Sequence, residues 1–286
     1  MKVLASCQVC EGAVVRYRHE WLRRCSVCGV LSADLPISIP DIAGPTALDE
    51  TLRAQGLESV RAKNNAKLVA ELRHLAPGVG RVLDVGCGPG FLLALASAAG
   101  FEVLGIEPDV SVGPGVSRMD GEVLWGYFPQ VLDPDDVFDV IVFNDVLEHI
   151  PDLTGALTAS LQHLRQGGVL CLNCPDQRGL FFRTASLLDR IGVSGPYDRL
   201  WQRGLPSPHV WYFTPELLQS AARRAGFEPI SMLRLETVTL SGLWARIRYA
   251  KTPLWMAIAT YLFTVITYPA ARLLPPDASA GFYRRP

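Results

Sequence analysis

Apolar residues along the chain follow two alternating rhythms. Short runs of five to seven residues read as strands: RVLDV (81–85), FEVLGIE (101–107), a weaker GEVLW (121–125), FDVIVFN (138–144) and GVLCLNC (168–174). FDVIVFN is continuously apolar, as expected of a strand covered on both faces. Between the runs lie helical spacings. One covers about 58–75, with Val60, Leu68, Val69 and Leu72 apolar. Others cover 91–99, stopping at Gly100, 152–165, ending before Gly167-Gly168, and 215–225, ending at Gly226. Residues 227–239 read as extended. Strands separated by helices imply an α/β fold with a parallel, doubly wound sheet.

The turn after the first of these strands reads GCGPG, with Gly86, Gly88 and Gly90 spaced G-x-G-x-G. The dinucleotide fingerprint is G-x-G-x-x-G, so its third, helix-packing glycine is misplaced here. Asp84 precedes the turn by two residues and would repel a phosphate. Glu107 ends the second strand, where a carboxylate can accept hydrogen bonds from both ribose hydroxyls. The ligand expected is therefore a nucleoside with a positive or zwitterionic tail, and S-adenosylmethionine fits.

VLDVGCGPG, then GIEPD, FDVIVFNDVLEHIPD and LRQGGVLCLNCPD, occur in that order. Together they resemble a class I S-adenosylmethionine-dependent methyltransferase of the subgroup whose fourth strand runs into an LEH segment. HVWYFTPELLQSAARRAGF (209–227) is similar to that subgroup's stretch before the sixth strand. The resemblance covers about 60–240. It implies a seven-stranded Rossmann-like sheet whose last strand, here SAGFYRR (279–285), inserts antiparallel between the fifth and sixth. It also implies that Asp84, Gly86, Gly88 and Gly90 line the methionine end, that Glu107 binds the ribose, and that Asn144 faces the cofactor. The family often carries an acidic residue after the third strand; this chain has Leu-Trp-Gly-Tyr-Phe (124–128), so Trp125, Tyr127 or Phe128 is expected to supply apolar contact instead.

Composition adds a globular class: of 286 residues, 49% are hydrophobic and 19% charged, with a net charge of −1. That balance gives no global pull towards nucleic acid. Cys7-x2-Cys10 and Cys25-x2-Cys28 have the spacing of a four-cysteine zinc ribbon, fully coordinated and so structural. Gly29 lets the chain curl back after Cys28. The opening LASC has too short an apolar stretch for an export signal, so the cytosol is expected, where paired cysteines serve as metal ligands before disulfides. Cys171 and Cys174 lie along a strand, where residues three apart diverge, and read as core thiols. The ribbon carries Lys2, Arg16, Arg18, Arg23 and Arg24 against Glu11 and Glu20. RNA is thus an alternative partner, disfavoured because Asn-Asp-Val-Leu-Glu-His stands where amino-methylating nucleic-acid enzymes show Asn/Asp-Pro-Pro-aromatic.

Five regions are expected: a zinc ribbon at 1–30, a linker at 31–57, the cofactor-binding methyltransferase domain at 58–239 with a substrate insert at 176–210, an apolar helical segment at 240–273, and the last strand and tail at 274–286. His149 and His209 are the candidate bases for removing a proton from an acceptor hydroxyl; His163 looks peripheral. The insert mixes Phe181, Phe182, Leu187, Leu188, Leu200 and Trp201 with five arginines. The apolar tract TPLWMAIATYLFTVITYPAA (252–271) is flanked by Arg248, Lys251 and Arg272, the pattern of a helix lying in a membrane interface. The leading expectation is O-methylation of a glycan, lipid or lipid-linked sugar by a cytoplasmic protein touching the inner face of the membrane through 240–273. A small-molecule methyltransferase of quinone or secondary metabolism and an RNA methyltransferase are the alternatives.

Overall fold

The computed structural model describes residues 6–39, 50–78, 80–112, 122–236, 240, 242–248, 253–271 and 276–286. The chain opens with β1 (Val14–Tyr17), β2 (His19–Cys25) and β3 (Leu31–Ala33). Helix α1 (Glu50–Leu75), β4 (Arg81–Val85), α2 (Phe91–Ala98), β5 (Glu102–Glu107), β6 (Glu122–Trp125) and β7 (Phe138–Asn144) follow. Next come α3 (Leu153–His163), β8 (Leu164–Pro175), α4 (Leu180–Arg190), α5 (Gly195–Leu200), β9 (Trp211–Tyr212), α6 (Pro215–Arg224) and β10 (Glu228–Leu235). Then α7 (Leu243–Arg248) and α8 (Leu254–Ala271) precede β11 (Ala278–Arg284).

Seven strands form one sheet in the order β10-β11-β8-β7-β4-β5-β6. β4, β5, β6, β7 and β8 run parallel, and β11 lies antiparallel between β8 and β10. Side chains of a strand alternate between faces. On β7, Ile141 and Phe143 join one core with α3 (Leu153, Leu157) and α6 (Leu217, Leu218). Val140 and Val142 join the other, with α1 (Leu68, Leu72) and α2 (Leu92, Ala96). Each of these leucines is buried, at roughly 1.5–3 kcal/mol apiece. Cys171 and Cys174 of β8 fall into opposite cores, both buried and unpaired.

Two boundaries differ from the sequence expectation for physical reasons. β8 starts at Leu164, not at residue 168. The double glycine does not end an element there; Gly167 takes a φ of 77° and the β7–β8 ladder shifts register between Phe138 and Val140. It is a bulge. α1 begins at Glu50, inside the expected 31–57 linker.

A second, four-stranded sheet has the order β1-β2-β3-β9. β3 carries this sheet past residue 30, the expected edge of the ribbon, and β9 comes from the far end of the 176–210 insert. Leu31 pairs with Tyr212 and Ser32 with Trp211. Leu22 and Leu31 share a core with Phe182, Tyr197, Trp201 and Tyr212. His19 Nε2 lies 2.9 Å from Asp189 of α4, and Arg18 donates to the same carboxylate at 3.3 Å. Ribbon and insert therefore pack as one layer.

Between β10 and β11 the chain leaves the sheet. Ala278 pairs with Pro175, the last residue of β8, so α7 and α8 depart from and rejoin the carboxyl edge of the parallel strands. Ala257 of α8 is buried, whereas Leu254, Trp255, Ile258, Leu262 and Ile266 are exposed. Among the described residues no helix is long and apolar enough to cross a membrane.

Candidate active site

The carboxyl ends of β4 and β5 build one half of the site. Gly86, Gly88 and Gly90 all have left-handed backbones, with φ of 68°, 53° and 79°. A Cβ on Gly86 would meet Val146 Cγ2 at 2.6 Å, so this glycine is required by packing. Gly88 faces open space, which leaves room for a ligand to approach its backbone. Its N–H donates to Glu107 Oε2 at 2.7 Å, and Asp109 N–H donates to Oε1 at 2.9 Å. Burial pushes the Glu107 carboxyl up, while these two N–H groups pull it back. Asp84 is 2% exposed, and burial, then the charge of Glu107, raise it to about 8. A buried carboxyl of this kind suits a positive ligand group. Glu107 pairs with Trp125 on β6, and both Trp125 and Tyr127 are exposed at this rim. Phe128 turns inward, edge-on to Phe143 at 5.5 Å.

Asn144, at the end of β7, spends its amide on neighbours. Its Nδ2 donates to Asn65 Oδ1 of α1 at 3.1 Å, and its Oδ1 accepts from Asn173 Nδ2 of β8 at 2.8 Å. Asn173 also donates to Asp145, whose φ of 58° holds the start of the following turn in the left-handed region. Asn65 and Asn173 are site residues that no sequence pattern marked.

Beyond Asp145 the chain forms a short 3-10 turn, Leu147–His149, which brings together the two candidate bases. The His149 and His209 rings meet edge to face at 4.7 Å. His209 Nε2 lies 4.0 Å from Glu148 Oε1. Glu148 is 1% exposed, and burial, then Asp145, raise it well above the usual carboxylate range. Burial lowers the His149 imidazole; burial and the neighbouring His149 push His209 down to about 3. Both rings are thus neutral at pH 7. Their tautomers follow from their partners. His149 Nδ1 lies 3.0 Å from the Pro208 carbonyl, which only accepts, so Nδ1 carries the proton and Nε2 the free lone pair. His209 Nε2 accepts from Gln202 Nε2 at 2.8 Å, so its lone pair is taken and its buried Nδ1 has no partner. Glu148, His149 and His209 each offer a ligand atom within 4.8 Å of the others, which also suits a cation. His163 instead bonds the Asp136 carbonyl at 2.7 Å.

Residues 57–232, more than half of the chain, match the family model described as "Methyltransferase domain". The chain belongs to this family. It is a class I S-adenosylmethionine-dependent methyltransferase. A "Ubiquinone biosynthesis O-methyltransferase" of Paramagnetospirillum magneticum is 34% identical over 203 residues, covering 63% of this chain and 77% of that protein. The protein of the same name from Ralstonia nicotianae is 31% identical over 190 residues, 61% of this chain and 74% of that one. Among solved structures, a cyclopropane synthase of Mycobacterium tuberculosis superposes with a TM-score of 0.54 at 20% identity, over 77% of this chain and 82% of that one. That likeness concerns the fold.

In this methyltransferase the four amino-terminal cysteines converge. Cys7 and Cys28 sulfurs lie 3.7 Å apart, Cys10 and Cys25 sulfurs 3.4 Å, and all four fall within 4.8 Å of one another. Tetrahedral zinc at about 2.3 Å from each thiolate sets sulfurs about 3.8 Å apart, so the cluster fits. Val9 N–H points at Cys7 Sγ and Val27 N–H at Cys25 Sγ, both at 3.4 Å. Burial acts against ionising Cys25, yet the N–H groups of Cys28 and Val27 outweigh it and hold that thiol at about 6. Gly29, with a φ of 77°, turns the chain back after Cys28.

Proposed function

We propose that the protein methylates an oxygen of a small, largely apolar acceptor, with His149 as the general base. The observation that carries this reading is the contact of His149 Nδ1 with the Pro208 carbonyl at 3.0 Å, from which the tautomer follows. Its Nδ1–H is given to Pro208, and its half-buried ring keeps a free lone pair on Nε2. His209 is buried and its lone pair is already bonded, so it orients rather than reacts. S-adenosylmethionine, when bound, supplies an electrophilic methyl group on a sulfonium. In this reading Glu107 accepts from the ribose hydroxyls and Asp84 faces the positive methionine end, which its burial and that of Glu107 support. An imidazolium formed at His149 on taking the acceptor's proton would favour ionisation of the neighbouring buried Glu148 carboxyl, so that the two charges stabilise each other. The names of the two ubiquinone-biosynthesis relatives favour the small-molecule alternative over the glycan or lipid-linked acceptor expected first.

An apolar acceptor also suits the exposed face of α8, which emerges at the same sheet edge as the glycine turn. Leu254, Trp255, Ile258, Leu262 and Ile266 on that face support a peripheral contact with a bilayer surface. The four thiols are read as a structural zinc site.

The test is uptake of labelled methyl from S-adenosylmethionine by soluble phenols and catechols, run beside lipid, glycan and RNA fractions. Label should enter the phenols, and His149→Gln should cut that rate by roughly 10²–10⁴-fold. Label confined to the glycan or RNA fraction would sink the reading. Flotation with anionic vesicles should carry the full chain but not Trp255→Glu/Ile258→Glu; equal flotation of both removes the bilayer contact.

A further inference from the structure

The turn that carries Glu148 and His149 is held from outside at nearly every residue. Val210 N–H donates to the Glu148 carbonyl at 2.7 Å. The His149 ring donates to Pro208. Trp211 Nε1 donates to the Ile150 carbonyl at 2.9 Å. The next tether comes from the cysteine cluster. Gln8, directly after Cys7, donates from Nε2 to the Pro151 carbonyl at 3.0 Å, and its Oε1 accepts Thr154 N–H at 3.0 Å. Thr154 stands in the first turn of α3, where backbone N–H groups have no partner within the helix. Asp152 accepts from Gly155 N–H at 2.9 Å, so the two side chains share the capping of that end. The tethers from 210 and 211 also lead back to the ribbon: Ala33 N–H donates to the Val210 carbonyl at 2.8 Å, and Ser32 pairs with Trp211. Val9, fully buried, belongs to the same core as Leu147 and Trp211.

We propose that Gln8 is a positioning residue for methyl transfer: by clasping Pro151 and Thr154 it lets the cysteine cluster fix the turn that presents His149. This assignment rests on the reading of His149 as the base. It gives the ribbon a part in the reaction without contact to the reacting atoms. The cofactor half meets this turn at Val146, against Gly86, upstream of the clasped residues, while the partners of Glu107 are Gly88 and Asp109. Loosening the ribbon should therefore disturb the acceptor half and spare cofactor affinity.

The experiment uses the full chain with its metal content measured, and compares wild type, Gln8→Ala and Gln8→Glu. Hydrogen exchange over 148–156 should quicken by about tenfold in Gln8→Ala. S-adenosylhomocysteine affinity should stay within about twofold by calorimetry. Gln8→Glu keeps the acceptor for Thr154 and loses the donor to Pro151, so its exchange should fall between the two. Stripping the metal from wild type should reproduce the Gln8→Ala exchange pattern, and stripping it from Gln8→Ala should add little over 148–156, the non-additivity of groups in one chain of contacts. With a soluble phenol that is turned over, kcat should drop and its acid limb shift, while KM for S-adenosylmethionine holds. Unchanged exchange in Gln8→Ala, or an equal loss of S-adenosylhomocysteine affinity, overturns the proposal. Quickened exchange with unaltered kcat and pH profile overturns it too, and His149→Gln run alongside then tells whether His149 is the base at all.

Discussion

Asp84 sits almost out of reach of water, beside a second carboxylate, and holds its proton up to about pH 8. If, as proposed, the sulfonium and ammonium of the cofactor arrive there, they favour the ionised form. Cofactor binding and proton release are then linked. Because the free protein's pKa is raised, protonated Asp84 opposes binding below about pH 8 and the opposition fades above it. S-adenosylmethionine affinity should rise from about pH 6.5 to 8.5, and the rise should vanish in Asp84→Asn; a flat profile for wild type would show that Asp84 does not face the positive end. Glu107→Ala removes an acceptor for two backbone N–H groups and, on the proposed reading, for the ribose, so the cofactor should weaken by about 1–3 kcal/mol in calorimetry. These two carboxylates were legible because each has a fixed place relative to the glycine turn. Gln8 and Gln202 were not: their roles are hydrogen bonds made after folding, Gln8 to a carbonyl 143 positions away, and no local pattern encodes them.

Among the elements, the glycine turn is the most exacting. Gly86→Ala asks an alanine for a left-handed backbone, at roughly 1–2 kcal/mol, and drives its Cβ into Val146. Thermal denaturation should show a clear fall in Tm, larger than for Gly88→Ala, whose Cβ meets open space. A greater loss in Gly88→Ala without ligand would contradict the packing seen here. The long strands and helices of the main sheet were legible because each repeats its period several times. β9 has two residues and β3 three, too few for any period; 31–33 fell in the expected linker and 211–212 were given no element. Gly167-Gly168 misled for a different reason: glycine marks bulges as well as ends.

At the scale of the whole molecule, the order of the seven strands was legible only through family resemblance, since parallel neighbours such as β4 and β7 are separated by other strands in sequence. The fusion of ribbon and insert was hidden, because it joins residues such as His19 and Asp189, 170 positions apart. That fusion gathers Trp21, Trp201, Tyr197 and Tyr212 into one aromatic cluster. Removing the proposed zinc, or replacing Cys25 by Ser, should therefore collapse the near-ultraviolet circular dichroism of that cluster and lower Tm, while far-ultraviolet signal from the main sheet largely persists. Full loss of both signals together would show that ribbon and sheet unfold as one unit.

The placement of β11 has a bearing on synthesis. β10 is made first, yet among the described residues its one neighbour in the sheet is β11, which also separates it from β8. A nascent chain that has reached only α8 must carry β10 as an orphan ribbon beside an unsealed flank of β8. Ribosomes that stall in this interval would release a sticky intermediate, a natural client for chaperones.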